Sequence, residues 1–336
     1  MPCALYLCPM SAAHQARRRA AAPAEIEPIL RYDLTAPDIP ALLPTVEFLI
    51  SDRAAPIDRE VIAAAPRLRL IQRIGSLTYD IDLEAARAAG VPVARWPLRS
   101  CINVAEHALM QMLALLKRAR GLHAAAASRR VWERAPRRTD GNTFAYNWSG
   151  QRSIYSLWGA TVGILGMGEV GVELAQRLRG FEARVLYFKR HPFPASVEAE
   201  LGIHYAQPTE LIAASDVLVS LLPYSAETDH FLDAERLALL RPTAILVHCG
   251  SGSVIDEQAL AQALRAQRLF GAALDTFEWE PLPPDHPLLD LPEETNLLLT
   301  PHIAAGDPAL YAGEVSHYYD NCLRVLAGEP ILHRVA

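Results

Sequence analysis

The chain has 336 residues, 51% of them hydrophobic and 21% charged, a balance that excludes a disordered polypeptide. Its 32 Lys and Arg against 38 Asp and Glu leave a formal charge of −6, without the concentrated basic face that nucleic acid requires. The length predicts two domains, each with room for its own core.

Five scattered cysteines, Cys3, Cys8, Cys101, Cys249 and Cys322, show neither CxxC nor zinc-ligand spacing. That pattern points to free thiols in a reducing cytoplasm. His191, His204, His230 and His286 lack paired spacing, so no metal is expected. No signal pattern is expected at the start, because Arg17-Arg18-Arg19 follow the short apolar run at 4–7 instead of preceding it. The most apolar stretch, residues 104–116, holds Glu106 and His107 and is too short to span a bilayer. Neither a membrane nor nucleic acid is an expected partner.

In chain order, short apolar runs predict strands at 4–8, 46–50, 68–73 and 91–94. Further runs follow at 161–165, 184–188, 217–221, 244–247, 270–274 and 297–299. The later runs are nearly continuous in Val, Ile and Leu, as strands buried on both faces of a parallel sheet must be. Helical periods lie between them, at 59–65, 83–89, 170–178 and 257–266. This alternation predicts an α/β fold. Residues 102–127 read as one long helix, and the polar stretch 129–156 as a long surface connection marking a break between domains. A last helix is predicted over 311–326, with no strand after it.

The segment Val162 to Gly171 runs from a strand through Gly166-Met167-Gly168-Glu169-Val170-Gly171 into a helix, the GxGxxG arrangement of a dinucleotide site. Gly166 permits the tight turn, Gly168 admits the pyrophosphate, and Gly171 lets helix and strand pack closely. The following helix start offers oriented N–H groups to phosphate. At the end of the next strand, where an NAD site usually carries Asp or Glu, the chain reads Tyr187-Phe188-Lys189-Arg190. Lys189 and Arg190 suit a 2′-phosphate, so NADP(H) is expected ahead of NAD(H).

Several segments together resemble the D-isomer-specific 2-hydroxyacid dehydrogenase family. They are Gly75 to Ala86, Val104-Ala105-Glu106-His107, the GxGxxG unit, Leu222 to Thr228, and the block from Gly271 to His302. That block contains Ala272-Ala273-Leu274-Asp275, Glu280-Pro281-Leu282-Pro283 and Thr300-Pro301-His302. The resemblance implies two Rossmann-like domains: a discontinuous, flavodoxin-like substrate domain over 1–103 and 304–336, and a cofactor domain over 104–303. It also implies a homodimer and reversible hydride transfer between nicotinamide and a 2-keto/2-hydroxy acid or related carbonyl. Carried over by position, His302 is the acid/base and Glu280 its partner, while Asp275 lies near the nicotinamide. Cys249 and Gly250 fall on the cofactor side, and Ser76, Leu77 and Thr78 on the substrate loop. His107, in the Ala-Glu-His pattern, reads as a packing or interface residue. Reducing a ketone requires a proton at oxygen as hydride reaches carbon, which is what a histidine–carboxylate pair provides.

The chain departs from the family at two points. Aligning Asp256 with the family's Val-Asp dipeptide places Ser251 where its arginine stands and His248 where its asparagine stands. A hydroxyl offers one neutral hydrogen bond where a guanidinium offers a charged fork. Three readings stay open: an arginine from elsewhere (Arg99, Arg129 or Arg152), a substrate without an α-carboxylate, or a dinucleotide-binding sensor or scaffold without turnover. Leu77 also stands where relatives have a second glycine.

Overall fold

The Val/Ile/Leu runs become two parallel sheets in the computed structural model, which describes residues 1–133, 135–142, 146–307 and 313–336. The chain divides into two compact units, Met1–Ile102 with Gly306–Ala336, and Asn103–Ala305.

In the first unit, strands β1 (Cys3–Leu7), β2 (Glu27–Arg31), β3 (Val46–Ser51), β4 (Leu70–Ile74) and β5 (Val93–Trp96) form one sheet in the order β2-β1-β3-β4-β5. This is the flavodoxin-like order, and every pairing is parallel. Alternate residues serve opposite faces: Leu5, Leu7, Leu49 and Ile71 enter one core, while Tyr6, Phe48, Ile50 and Leu70 enter another. The second core is completed by Tyr318, Tyr319 and Cys322, so the C-terminal helix Asp320–Ala327 finds its packing here. At the end of β4, the buried Arg73 guanidinium pairs with Asp80 at 2.5 Å and donates to Ser51 Oγ at 3.1 Å, pinning the loop that carries Ser76, Leu77 and Thr78.

The second unit holds β6 (Thr161–Leu165), β7 (Arg184–Phe188), β8 (Ile203–Tyr205), β9 (Val217–Ser220), β10 (Ile245–His248), β11 (Gly271–Leu274) and β12 (Leu297–Leu299). Their order, β12-β11-β10-β9-β6-β7-β8, is the dinucleotide-binding arrangement with its reversal between β6 and β9. Every pairing is parallel, so the loops after β6, β9, β10, β11 and β12 all leave from one edge.

Several expectations are corrected. No strand was expected at β2 or β8; both are sheet edges, β2 carries Pro28 and β8 has three residues, so neither shows a buried apolar run. The starts of β4 and β5 fall two residues late, because Leu68 and Val91 are buried before their chains join the ladder. The long helix is two helices, Arg99–Leu116 and Ala119–Ala127, separated by Arg118 in the left-handed region at φ +49°. Tertiary contacts hold this break: Lys117 Nζ donates to the Tyr155 carbonyl at 2.7 Å, and Arg118 donates to the Glu294 carbonyl at 3.1 Å. The polar stretch 129–156 lies inside the second unit, and the division falls within the first turn of Arg99–Leu116. The C-terminal segment begins as the 3-10 helix Glu314–Tyr319 before Asp320–Ala327; residues 308–312 of the expected stretch lie outside the described ones. Among the described residues, no helix is long and apolar enough to cross a membrane.

Candidate active site

β6 delivers the chain into the glycine turn, and the helix Glu169–Leu178 starts immediately after Gly168. Gly166 sits at φ +97°, and a Cβ there would stand 2.7 Å from the Leu221 carbonyl group, so the turn rests on the backbone that follows β9. The space above Gly168 is open, whereas Gly171 packs against Met167. The first N–H groups of the helix, those of Glu169 and Val170 among them, present the positive end of its dipole. An open, donor-rich turn of this kind fits a pyrophosphate. Beyond β7, Lys189 Nζ lies 3.8 Å from the centroid of the Phe193 ring, and Arg190 pairs with Glu227 at 3.2 Å on the surface.

Cys249, Gly250 and Ser251 leave β10, Asp275 leaves β11, and His302 leaves β12; with Glu280 they line one cavity of about 350 Å³. His302 Nδ1 lies 2.7 Å from Glu280 Oε2, and Glu280 Oε1 accepts the Phe277 N–H at 3.0 Å, so backbone and imidazole together orient the carboxylate. The Ser251 loop reaches this group because residue 252 is glycine: a Cβ there would lie 1.8 Å from the Phe277 carbonyl oxygen. A second cavity, of about 520 Å³, also touches His302 and Glu280 and is walled by Phe277, Pro281, Leu282, Leu289 and Leu299. The His302–Glu280 pair thus borders both cavities.

The Asp275 carboxylate turns into the protein. Its Oδ1 accepts Thr300 Oγ1 at 2.6 Å and the Ile303 N–H at 3.0 Å, and its Oδ2 accepts the Ala304 N–H at 2.8 Å. Ser251 Oγ accepts the Tyr224 N–H at 2.9 Å, which ties its loop to the segment after β9 and leaves the hydroxyl proton to donate. His248, at the family's asparagine position, is fully buried at the end of β10. Burial pushes its pKa down to about 4, which keeps the ring neutral. Cys249 is half-buried, and desolvation pushes its thiol up, which keeps it protonated.

Of the arginines considered as replacements, Arg99 pairs with Asp307 at 3.5 Å in the first unit. Arg129 and Arg152 are exposed between Ala119–Ala127 and β6 and do not line the cavity. Ser76, Leu77 and Thr78 belong to the first unit, with Ser76 and Leu77 buried and the Ser76 carbonyl accepting Arg95 Nη1 at 3.3 Å. Sequence reasoning passed over Thr300 and Gln111, which reach Asp275 and Cys249, and gave His107 only a packing role. The signal was present: His107 and Gln111 stand four residues apart on one face of the helix.

The family profile described as D-isomer specific 2-hydroxyacid dehydrogenase, NAD binding domain, matches residues 109–304. A glyoxylate reductase of Korarchaeum cryptofilum is 34% identical over 84% of this chain and 80% of its own. A glyoxylate/hydroxypyruvate reductase B of Pectobacterium carotovorum is 36% identical over 87% of this chain and 86% of its own. A crystal structure of a Pyrococcus horikoshii protein superposes with a TM-score of 0.58 at 29% identity, covering 100% of this chain and 95% of that one. The named relatives are reductases, which favours turnover over a cofactor-gated scaffold. Motif order, sheet topology and these likenesses agree: the chain belongs to the D-isomer-specific 2-hydroxyacid dehydrogenase family and is a nicotinamide-dinucleotide-dependent oxidoreductase.

Proposed function

We propose that this protein reduces a carbonyl compound related to the 2-oxo acids, with NADP(H) preferred and His302 carrying the proton. The observation that carries this reading is the His302–Glu280 pair, held at 2.7 Å beside a cavity that the loop Cys249–Ser251 also lines. Because Nδ1 is engaged by Glu280, the exchanged proton belongs to Nε2: it leaves for the carbonyl oxygen in reduction and returns from the hydroxyl in oxidation. Glu280 orients the ring. When bound, the nicotinamide supplies or takes the hydride.

Gly166, Gly168, Gly171 and the helix start would hold the pyrophosphate, and Cys249 and Gly250 would line the nicotinamide side. Lys189 and Arg190 support the 2′-phosphate, since the exposed Arg190–Glu227 pair is weak enough to exchange its carboxylate for a phosphate. We assign cofactor binding to the stretch 104–303, and substrate contacts to 1–103 with 304–336 through Ser76, Leu77 and Thr78. The resemblance supports a homodimer, and five scattered cysteines without CxxC or zinc-ligand spacing support a cytoplasmic setting.

Ser251 bears on the substrate. One neutral donor replaces a charged fork, which favours a carbonyl compound without the α-carboxylate over glyoxylate or hydroxypyruvate, the substrates in the names of the relatives. The test is NADPH and NADH oxidation against 2-oxo acids and matched aldehydes and ketones, for the native protein and Ser251→Arg. The expected result is NADPH-dependent reduction of the uncharged carbonyls, with Ser251→Arg gaining about a hundredfold toward 2-oxo acids. Efficient glyoxylate reduction by the native protein would overturn the substrate assignment, and equal use of NADH would overturn the cofactor preference.

A further inference from the structure

His302 occupies the left-handed region at φ +51°, a conformation that a non-glycine residue keeps only when its surroundings impose it. Backbone hydrogen bonds impose it, one from His302 N to the Thr300 carbonyl at 3.0 Å and the others to Asp275. Asp275 accepts three successive backbone donors, His302 N at its carbonyl oxygen (2.8 Å) and Ile303 N and Ala304 N at its carboxylate (3.0 and 2.8 Å). Asp275 is itself buried, so its orientation decides where the His302 loop lies.

What orients Asp275 can be read from the donors. Thr300 has one hydroxyl proton, and the 2.6 Å contact to Asp275 Oδ1 takes it. The Leu274 carbonyl, at 3.5 Å, is the poorer acceptor for that proton, so Thr300 Oγ1 accepts from His107 Nε2 at 3.0 Å and Gln111 Nε2 at 3.3 Å. His107 must carry its proton on Nε2, and burial, which lowers its pKa, is consistent with a neutral ring. Gln111, with its amide nitrogen committed to Thr300, turns Oε1 to the Cys249 thiol, which donates at 3.4 Å. Every bond points one way: Cys249 to Gln111, Gln111 and His107 to Thr300, Thr300 to Asp275. Cys249 lines the same cavity as His302, so the chain runs from one wall of that cavity through the helix Arg99–Leu116 to the other.

We propose that His107, Gln111 and Thr300 are positioning residues for the reaction, acting on His302 through Asp275. This rests on the reading of His302 as the proton carrier. Held donors polarise one another, and a loop fixed before substrate arrives needs no rearrangement at the moment of proton transfer. The helix Arg99–Leu116 thereby sets where the proton is delivered, with no side chain of its own in the reaction.

The experiment compares His107→Leu and Thr300→Val, which delete a donor, with His107→Gln and Thr300→Ser, which keep one. His302→Ala runs beside them, with kcat, KM and NADPH affinity read for each. We expect the deletions to lower kcat about tenfold or more at nearly unchanged KM and cofactor affinity, with most of the loss restored in the conservative pair. Loss of activity in His302→Ala with kcat within twofold of native in both deletions overturns the positioning role alone. Retained activity in His302→Ala overturns the reading beneath it. Two measurements on the native protein keep the proposal exposed should a deletion fail to fold. Imidazole nitrogen resonances of His107 should report the neutral Nε2–H tautomer, and the amides of Ile303 and Ala304 should exchange slowly; an Nδ1–H tautomer or rapid exchange overturns it.

Discussion

Two histidine–glutamate pairs stand on the same stretch of the second unit, and they differ in burial and in the nitrogen that meets the carboxylate, Nδ1 of His302 and Nε2 of His286. His302–Glu280 spans 2.7 Å with side chains 62% and 35% exposed; His286–Glu257 spans 2.8 Å with side chains 6% and 5% exposed. In the buried pair both ring nitrogens are used, since His286 Nδ1 accepts the Leu288 N–H at 3.4 Å, and Glu257 Oε1 also takes the Glu278 N–H at 3.3 Å. That pair fastens the loop bearing Glu280 to the helix Glu257–Arg265. Burial pushes the Glu257 carboxyl up, opposed by the bond to His286. In the exposed pair, Nε2 of His302 makes no hydrogen bond among the described residues and borders a cavity. Separation and residue type are shared, so burial and access to the second nitrogen separate the proposed proton carrier from a fastening.

The largest expected effect lies on the exposed pair. His302→Ala should lower kcat by about a thousandfold, and Glu280→Gln by about a hundredfold, with melting temperature within about 2 °C of native. Calorimetry beside steady-state kinetics checks both; a large stability loss would erase the contrast. The buried pair should answer in the opposite sense. Removing one partner by His286→Ala leaves Glu257 buried and unpaired, a cost of about 3 kcal/mol, or roughly 10 °C in melting temperature. A variant that melts like the native protein would show that the fastening contributes nothing.

His248 sharpens the contrast by pH. It is buried like His286, but no carboxylate among the described residues hydrogen-bonds it, and its pKa falls from 6.5 to about 4. The protonated ring is disfavoured in the fold, so stability is complete above pH 6.5 and is lost as pH falls toward 4, by up to about 3 kcal/mol. Denaturant titrations should show this slope in the native protein and a shallower one in His248→Asn. Equal slopes would remove His248 as its source.

The glycine turn was the most legible part of the site, because its requirements are local. Gly166 at φ +97° and the helix start after Gly168 follow from neighbours in the chain, and spacing alone carries them. His302 and Glu280 were legible by resemblance, but their 2.7 Å contact joins loops 22 residues apart, and no periodicity announces it. Edge strands β2 and β8 were missed because an edge needs neither length nor a continuous apolar run. The break at Arg118 was invisible because local propensity runs through it; acceptors at Tyr155 and Glu294, distant in sequence, decide it.

The sequence by itself determined a parallel α/β fold and the dinucleotide turn after β6, and through family resemblance the histidine–carboxylate pair. Hydrophobic period, glycine sterics and residue type are properties of short stretches, and they survive without knowledge of partners. Tertiary structure alone decided which histidine is open and which is sealed, that Ser251 spends its acceptor on Tyr224, and that His107, Gln111 and Thr300 converge on Asp275. Burial and the direction of a hydrogen bond depend on groups brought together from distant parts of the chain, and no local pattern encodes them.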